Sequence, residues 1–573
     1  MKKLTRRGIL SGLGGGLALS TKSSAMPTKR RETQRKTSQI EESNMETSYV
    51  KIYRADSREN LPVPENTPAL GVTSDGFYEW LAGDLEWEYI LESLSLEEFN
   101  KIQIVFPEEN CSGIQQAINA LPDTGGKVIL LEGTYEVEDG KAEEAAIFVN
   151  KDNVTIEGQG HSTKVFLPDG ITEPGKGKAI LDIGRPASRS DPLVVNGCLL
   201  KDFLIDGNMQ NQNPDEITDL SDMHNIEVVG SDHKFSNLWS VNSTGDGLEL
   251  TSKQDPPVTT NITVVNCTFH ENNEHCIHFH GCQNVTVSNC ILDGERQATV
   301  VSTWTNKTDN KDITLDGCQI LNGKGRSGVE IKADTSQIVD GNQWKTRGFR
   351  MSDCFIAYND GLGLMIDGRF SEDIEIKNCT FLENGTEKNT HNVKLEGGKD
   401  VEIIDCSIKH GWMDGLLMST ARSELTDVVI KGGIIKNNNQ KSGSFPSGIA
   451  VEVAGNDITR LRVTNLDVVS SDNAPSHHYG VRIIERSPAV YTDVDFSGLY
   501  IKNVKKEEWY NVDIIADYLR DNTPTKPTDV RRLKQEVGNQ AYHDGSGGNT
   551  AGPAFYDSSV NTWTSLVDGT PIK

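Results

Sequence analysis

The chain has 573 residues, a formal net charge of −26, 53 glycines and only 6% aromatic residues. That length admits several domains or one elongated repeat domain. The charge is lopsided: residues 1–36 hold ten Lys/Arg against one acid, so the remainder carries −35. A body this acidic repels nucleic acid and anionic membranes, which argues against both as partners.

The basic end reads as an export signal of the twin-arginine type over residues 1–25. Thr5-Arg6-Arg7 is followed by Ile9 and Leu10, a Gly-rich weakly apolar stretch, and Ser23-Ser24-Ala25 before a cut after Ala25. The apolar stretch is too short and too glycine-rich to span a bilayer. No other segment approaches that length, so an extracellular or cell-surface protein without a transmembrane segment is expected. Residues 26–48 lack apolar periodicity and read as a disordered linker. A small β module and connector are expected over 49–104, and a tail with a second β-hairpin module over 516–573. Both carry a related pattern of aromatic pair, acid, polar turn and Trp: "FYEWLAGDLEWEYI" from Phe77 and "FYDSSVNTWTSL" from Phe555.

Between them one pattern recurs: "HNIEVVGS", "TNITVVNCTF", "QNVTVSNCIL", "KDITLDGCQI", "RGFRMSDCFI", "EDIEIKNCTF", "KDVEIIDCSI" and three looser copies, starting about 23 to 36 residues apart. Each has a strand of period 2, a turn of Asn, Asp or Gly, a second short strand, and a closing strand such as "DGLEL" or "HCIHF". Fixed strands with variable spacing predict an all-β parallel solenoid in which each coil buries its apolar side against the next. Cys267, Cys290, Cys318, Cys354, Cys379 and Cys406 hold one position in six consecutive copies. Equivalent side chains on stacked strands point in parallel, which is poor disulfide geometry, so buried reduced thiols are expected.

The opening of the repeat, "CSGIQQAINALPDTGGKVILLEGTYEV" and then "AIFVNKDNVTIEGQGHSTKVFLP", resembles the start of the pectate-lyase superfamily of right-handed parallel β-helices. The resemblance covers residues 105–515. It implies a β-helix whose end is capped by an amphipathic helix (Ile114, Ala117, Ile118 and Leu121 inward), with Ser112 and Gln115 placed to form a capping box. It implies no single activity, since that superfamily includes lyases, hydrolases, epimerases and non-enzymatic tail spikes. The acidity also resembles that of haloarchaeal proteins that stay hydrated at high salt.

Within the closing strands, Leu248, Ile277, Val329, Leu362, Val393 and Leu416 align as inward residues. The outward column beside them is then Glu249, His278, Val300, Glu330, Gly363, Lys394 and Leu417. Two residues on, it is Thr251, His280, Ser302, Lys332, Met365, Glu396 and Ser419. "EHCIHFHG" thus puts His278 and His280 on the wet side of a strand and His275 at a turn. A metal there would need ligands from a neighbouring coil, and Glu249 is the one in reach.

Asp360, His391 and Asp414 align at one turn in three consecutive coils, with Glu330 one coil earlier. Catalytic chemistry is therefore expected from Glu330, Lys332, Asp360, His391 and Asp414. Glycan contacts are expected from Glu249, His278, His280, Trp304, Trp344, Arg369 and Lys394, the two tryptophans lying in long polar insertions suited to stacking on sugar rings. Two function classes follow. One is a secreted enzyme that cleaves a polysaccharide in an outer groove, as a lyase with a base and uronate-neutralising cations or as a hydrolase with paired acids. The other is a non-catalytic glycan-binding surface or tail-spike-like protein. No cofactor follows from the sequence. A calcium requirement and the oligomeric state, monomer or trimer, are left open.

Overall fold

The computed structural model describes residues 101–511 apart from segments 139–144, 171–178, 186–191, 213–222, 253–257, 295–298, 306–307, 325–326, 334–343, 387–389, 439–445, 472–476, 503 and 505. It also describes eight strands outside that range. Residues 1–48, where the signal and linker are expected, lie outside the described residues. The chain divides into two compact units, Met1–Ser95 and Leu96–Lys573.

In the first unit, Lys51–Arg54, Ala69–Thr73, Gly76–Trp80 and Glu88–Glu92 form one four-stranded sheet in chain order. The aromatic segment from Phe77 runs through both strands of an antiparallel hairpin in it. Its counterpart, Gly552–Asp557 with Thr562–Ser565, is likewise antiparallel.

The second unit is built on three long sheets of 13, 13 and 17 strands. Each coil supplies one strand to each sheet in turn, for example Thr259–Val265, Thr268–His270 and Ile277–His280. Every one of these strands pairs in parallel with its equivalent in the next coil. Such pairing satisfies the backbone between coils and leaves inward side chains to stack in columns. Val264, Val287, Leu315, Met351, Ile376, Ile403 and Ile430 form one such buried column.

The corner between the first two sheets explains the recurring Asn/Asp/Gly-Cys pair. Asn266, Asn289, Asp353, Asn378 and Asp405 adopt left-handed backbone, as does Gly317 in the same place. That conformation is cheapest for Gly, Asn and Asp. The cysteine that follows turns its thiol back on the carbonyl two residues earlier, at 3.3 Å for Cys290 and 3.2 Å for both Cys354 and Cys379. Cysteine suits this corner because it is small, apolar and still a weak donor. All ten cysteines are buried, outside any disulfide.

A second ladder closes the corner before the third sheet. Asn359 donates to Asn384 (2.8 Å), Asn384 to Asn392 (2.6 Å) and Asn392 to Asn438 (3.2 Å), all fully buried. Asn384 opens an Asn-Gly-Thr sequon, and its burial removes it as a glycan acceptor. The N-terminal helix, Asn110–Ala120, buries Cys111, Ile114, Ala117 and Ile118. The expected capping box at Ser112 is corrected. The turn starts earlier, at Pro107, and Phe106 N–H donates to Glu109 at 2.8 Å. Gln115 instead grips the backbone of Phe148 from both ends of its amide.

Two predictions follow from these ladders. Asn384→Ala leaves several buried amides unmatched and should lower the unfolding free energy by about 3 kcal/mol in chemical denaturation. The second concerns pH. His233 and His477 are buried, and each accepts a backbone N–H, from Cys198 at 3.1 Å and from Asn438 at 3.0 Å. Burial lowers both to about 4. Unfolded histidines take up protons near 6.5, so stability is intact above that pH and falls as pH drops toward 4. The loss should reach roughly 3 kcal/mol per histidine. A stability profile flat between pH 7 and 4 would contradict it.

Candidate functional site

The third sheet differs from the other two on its outer side. Strand Cys282–Ser288 of the first sheet alternates between buried and partly exposed residues, as a half-wet strand should. On the third sheet every residue of Leu248–Thr251, Leu364–Asp367 and Leu416–Ser419 is buried, outward ones included. The extra chain length is also placed here. Segments 213–222, 295–298, 325–326, 387–389, 439–445 and 472–476 precede strands of this sheet, while 253–257, 306–307 and 334–343 follow them. Chain length thus varies at both ends of these strands while the described coils stay stacked.

Observed pairing gives the outward column along this sheet as Asp182, Glu227, Glu249, His278, Ser302, Glu330, Met365, Lys394, Leu417, Ala450 and Arg482. The expected alignment is therefore corrected in two coils. Leu364, not Leu362, is inward, and Ser302 and Met365 replace Val300 and Gly363. Asp360 leaves the His391 and Asp414 turn position, which Leu362 holds in that coil. Its backbone N–H pairs with Gly323 O at 2.7 Å, and Thr386 donates to its carboxylate at 3.4 Å. Trp304 is also relocated. It lies in the strand Val301–Thr305 and pairs in register with Lys332, not in an insertion. Trp344 is half-buried beside the long insertion.

The remaining candidates fall into clusters along the groove. Glu330 accepts from Lys332 and from Thr299, each at 2.8 Å. Next come two carboxylates bridged by arginine: Arg422 binds Asp367 (2.7 Å) and Glu396 (2.6 Å), Arg369 binds Asp367 (2.7 Å), and Lys394 pairs with Glu396. Burial raises the Asp367 carboxyl, but Arg369 and Arg422 outweigh it and hold it below its usual range.

Farther on, His391 Nδ1 meets Asp414 at 3.0 Å. Asp414 is almost fully buried, takes the Ser447 N–H, and faces Arg482 at 3.4 Å. Its burial is outweighed by His391 and Arg482, so it too stays ionised. Asp414 thus stands against His391 Nδ1 as an ion-pair partner. Arg422, Arg482 and Asp367 were not singled out by sequence reasoning: Arg422 sits outside the strand motifs, Asp367 in a coil whose alignment slipped, and Arg482 in a closing strand beyond the coils taken for the site.

The other end of the groove holds the histidine stretch. His278 is buried, not on a wet face, and His275 is part of the same group. His275 Nδ1 meets Asp246 Oδ1 at 2.7 Å, and His278 Nδ1 meets Asp246 Oδ2 at 3.1 Å. His280 Nδ1 meets Glu249 at 3.2 Å. His224 joins from the preceding coil, with Nε2 3.1 Å from Glu249, while the Asp246 N–H donates to its Nδ1 at 3.0 Å.

Burial opposes charge on His224, but Glu249, Asp246 and Glu227 outweigh it and push the ring up to about 10. That pull and the Nδ1 hydrogen bond ask for opposite states. The Asp246 N–H, at the corner before Leu248–Thr251, points at Nδ1 and leaves Nε2 to donate to Glu249. Asp246 is driven far below the usual carboxylate range, His275 and His278 overcoming its burial. Calcium, which takes six to eight oxygen ligands, does not fit a donor set this rich in imidazole.

A split between positioning and exposed acids is expected. Asp414→Asn should cost about 3 kcal/mol of stability, because it leaves Arg482 and His391 facing a neutral amide in a buried site. Glu330→Gln, which loses one partly exposed ion pair, should cost under about 1 kcal/mol. Equal losses in chemical denaturation would remove the distinction.

A family model described as "Right handed beta helix region" matches residues 216–312 and 307–496. No curated protein matches the chain. Among solved structures, the chain is similar to the Azotobacter vinelandii mannuronan C-5 epimerase AlgE6 A-module, at 15% identity over 70% of this chain and 91% of that one, with a TM-score of 0.45. The catalytic unit of a GH87 alpha-1,3-glucanase from Streptomyces thermodiastaticus is similar at 14% identity over 74% and 77%, with a TM-score of 0.46. The tailspike protein 3 of bacteriophage CBA120 is similar at 12% identity over 88% and 83%, with a TM-score of 0.43. These likenesses transfer no activity. Three sheets of stacked parallel strands and the family match over its central coils make the protein a right-handed parallel β-helix.

Proposed function

We propose that the protein is an exported enzyme that removes a proton next to the carboxylate of an acidic polysaccharide and cleaves the chain as a lyase. The observation that carries this reading is the His391–Asp414 pair with Arg482, Lys394 and Arg422 in the coils around it. Asp246, Asp367 and Asp414 are all held below the ordinary carboxylate range by arginine or imidazole neighbours. Glycoside hydrolysis needs a carboxylic acid kept protonated, with its partner roughly 6.5–9.5 Å away in the inverting case. Glu330 and Asp414 are three coils apart, about 14 Å along the stack. They cannot share one glycosidic bond.

Lyase chemistry asks instead for a base and for cations over the uronate carboxylate. His391, paired through Nδ1 with Asp414, presents its other nitrogen as the base. Lys394 is three residues on, and Arg369, Arg422, Lys332 and Arg482 line the neighbouring coils. A uronate would draw these cations from the acids they now pair with.

Incubation of the mature protein with a panel of acidic and neutral polysaccharides at high salt tests the reading. Unsaturated product absorbance with acidic glycans is expected, together with a loss of at least ~100-fold in turnover for His391→Ala. Reducing ends without unsaturation would replace it with hydrolysis. Retention of glycan without turnover would leave the non-catalytic binding alternative.

A further inference from the structure

We infer that Asp246, His275 and His278 form a binding site for a first-row divalent transition metal ion, of the zinc, manganese or iron(II) type. This goes beyond the lyase reading and does not depend on it.

Three observations carry the inference. The first is geometric: the ligand atoms of the three residues all lie within 4.8 Å of one another, and all three side chains are buried. The two imidazole-to-carboxylate separations are 2.7 and 3.1 Å. Metal–nitrogen and metal–oxygen bonds of about 2.0–2.1 Å put neighbouring ligand atoms roughly 2.9–3.4 Å apart in octahedral or tetrahedral geometry. Each imidazole thus stands about one such edge from a carboxylate oxygen, His275 from Oδ1 and His278 from Oδ2 of Asp246.

The second is chemical. Two imidazoles and one carboxylate are borderline donors suited to these metals, and leave further positions open. The third is support. His224 takes the Asp246 backbone N–H on one nitrogen and reaches Glu249 with the other, while His280 also pairs with Glu249. These contacts hold the Asp246 backbone and the neighbouring Glu249 in place, as outer groups do around bound metals.

The local charge agrees. Glu249, Glu227 and Asp182 occupy the same outward column in consecutive coils. The acids farther along, Asp367 and Glu396, are matched by arginine and lysine, whereas Asp246 and Glu249 pair with imidazoles. A divalent ion would displace the shared protons on the two Nδ1 atoms and supply the positive charge itself. The spacing is specific, since Asp246 comes from one coil and both histidines from the next.

The test uses the full mature chain stripped with a chelator and dialysed. Zn2+ titration by calorimetry should give about one site per chain. His278→Gln and Asp246→Asn should weaken it at least ~100-fold, while His391→Ala, in the proposed lyase site, should leave it unchanged. Co2+ should give visible absorption bands of a nitrogen–oxygen site that Zn2+ abolishes. Circular dichroism and cooperative unfolding establish that each variant is folded. If a variant does not fold, the Co2+ spectrum and the stoichiometry of the unaltered protein still decide. Absence of stoichiometric Zn2+ and Co2+ binding, uptake of Ca2+ in their place, or Zn2+ binding unaltered in folded His278→Gln would each overturn the proposal.

Discussion

Parallel in-register stacking governs this molecule. Once every strand pairs with its equivalent in the next coil, a residue's neighbours are set by its place in the repeat, about 4.8 Å above and below. Inside, that rule rewards identical apolar residues and punishes unmatched polar ones. The thiols answer it by capping a carbonyl within their own coil, and the asparagines by donating along the stack. Outside, the rule brings like charges together unless the column alternates. Asp367 and Glu396 face each other across one coil step and are held by an arginine from a third coil. The groove's ion pairs are thus partly a consequence of the stacking itself.

That origin tempers what an ion pair here signifies. Glu330 with Lys332 is the sort of pair any crowded column produces, and it is expected to contribute little stability. The His391–Asp414 pair differs, because its carboxylate is buried and held by a backbone N–H as well as by Arg482. Burying a carboxylate is costly, and a solenoid corner can be closed more cheaply with asparagine, as the ladder beside it does. The same holds for Asp246 beneath His275 and His278. Retaining an aspartate at these two corners points to chemistry on the histidines above them.

How far the sequence could be read follows from the same periodicity. Strand alternation, turn residues and the cysteine column identify the solenoid because each recurs at every coil. Register within the third sheet was legible except in two coils. "DGLGLMID" offers two phases that differ by two residues, Leu362 or Leu364 inward. A two-residue slip keeps every side chain on its proper face, so alternation cannot expose it, whereas a one-residue slip would have. That slip brought Asp360 into a column it does not occupy and hid Asp367. Asp246 was hidden differently: Asp-Gly before a strand is ordinary turn chemistry. Only the coil spacing, which sets it against His275, distinguishes it.

Asp246 and Asp414 hold equivalent corners, and each faces a histidine at the same corner of an adjacent coil. The order is reversed. Asp246 precedes His275, so the imidazoles lie toward the middle of the groove, whereas His391 precedes Asp414 and lies toward the middle from the other side. Both carboxylates are therefore buried on the far side of their histidines, and the histidines face the stretch between Ser302 and Met365. Stacking alone is indifferent to the order of aspartate and histidine, so packing does not account for two pairs with opposite order on one face. A glycan lying along the stack would meet the proposed metal ligands at one end and the proposed base at the other, with Lys332 and Arg369 in the coils between them.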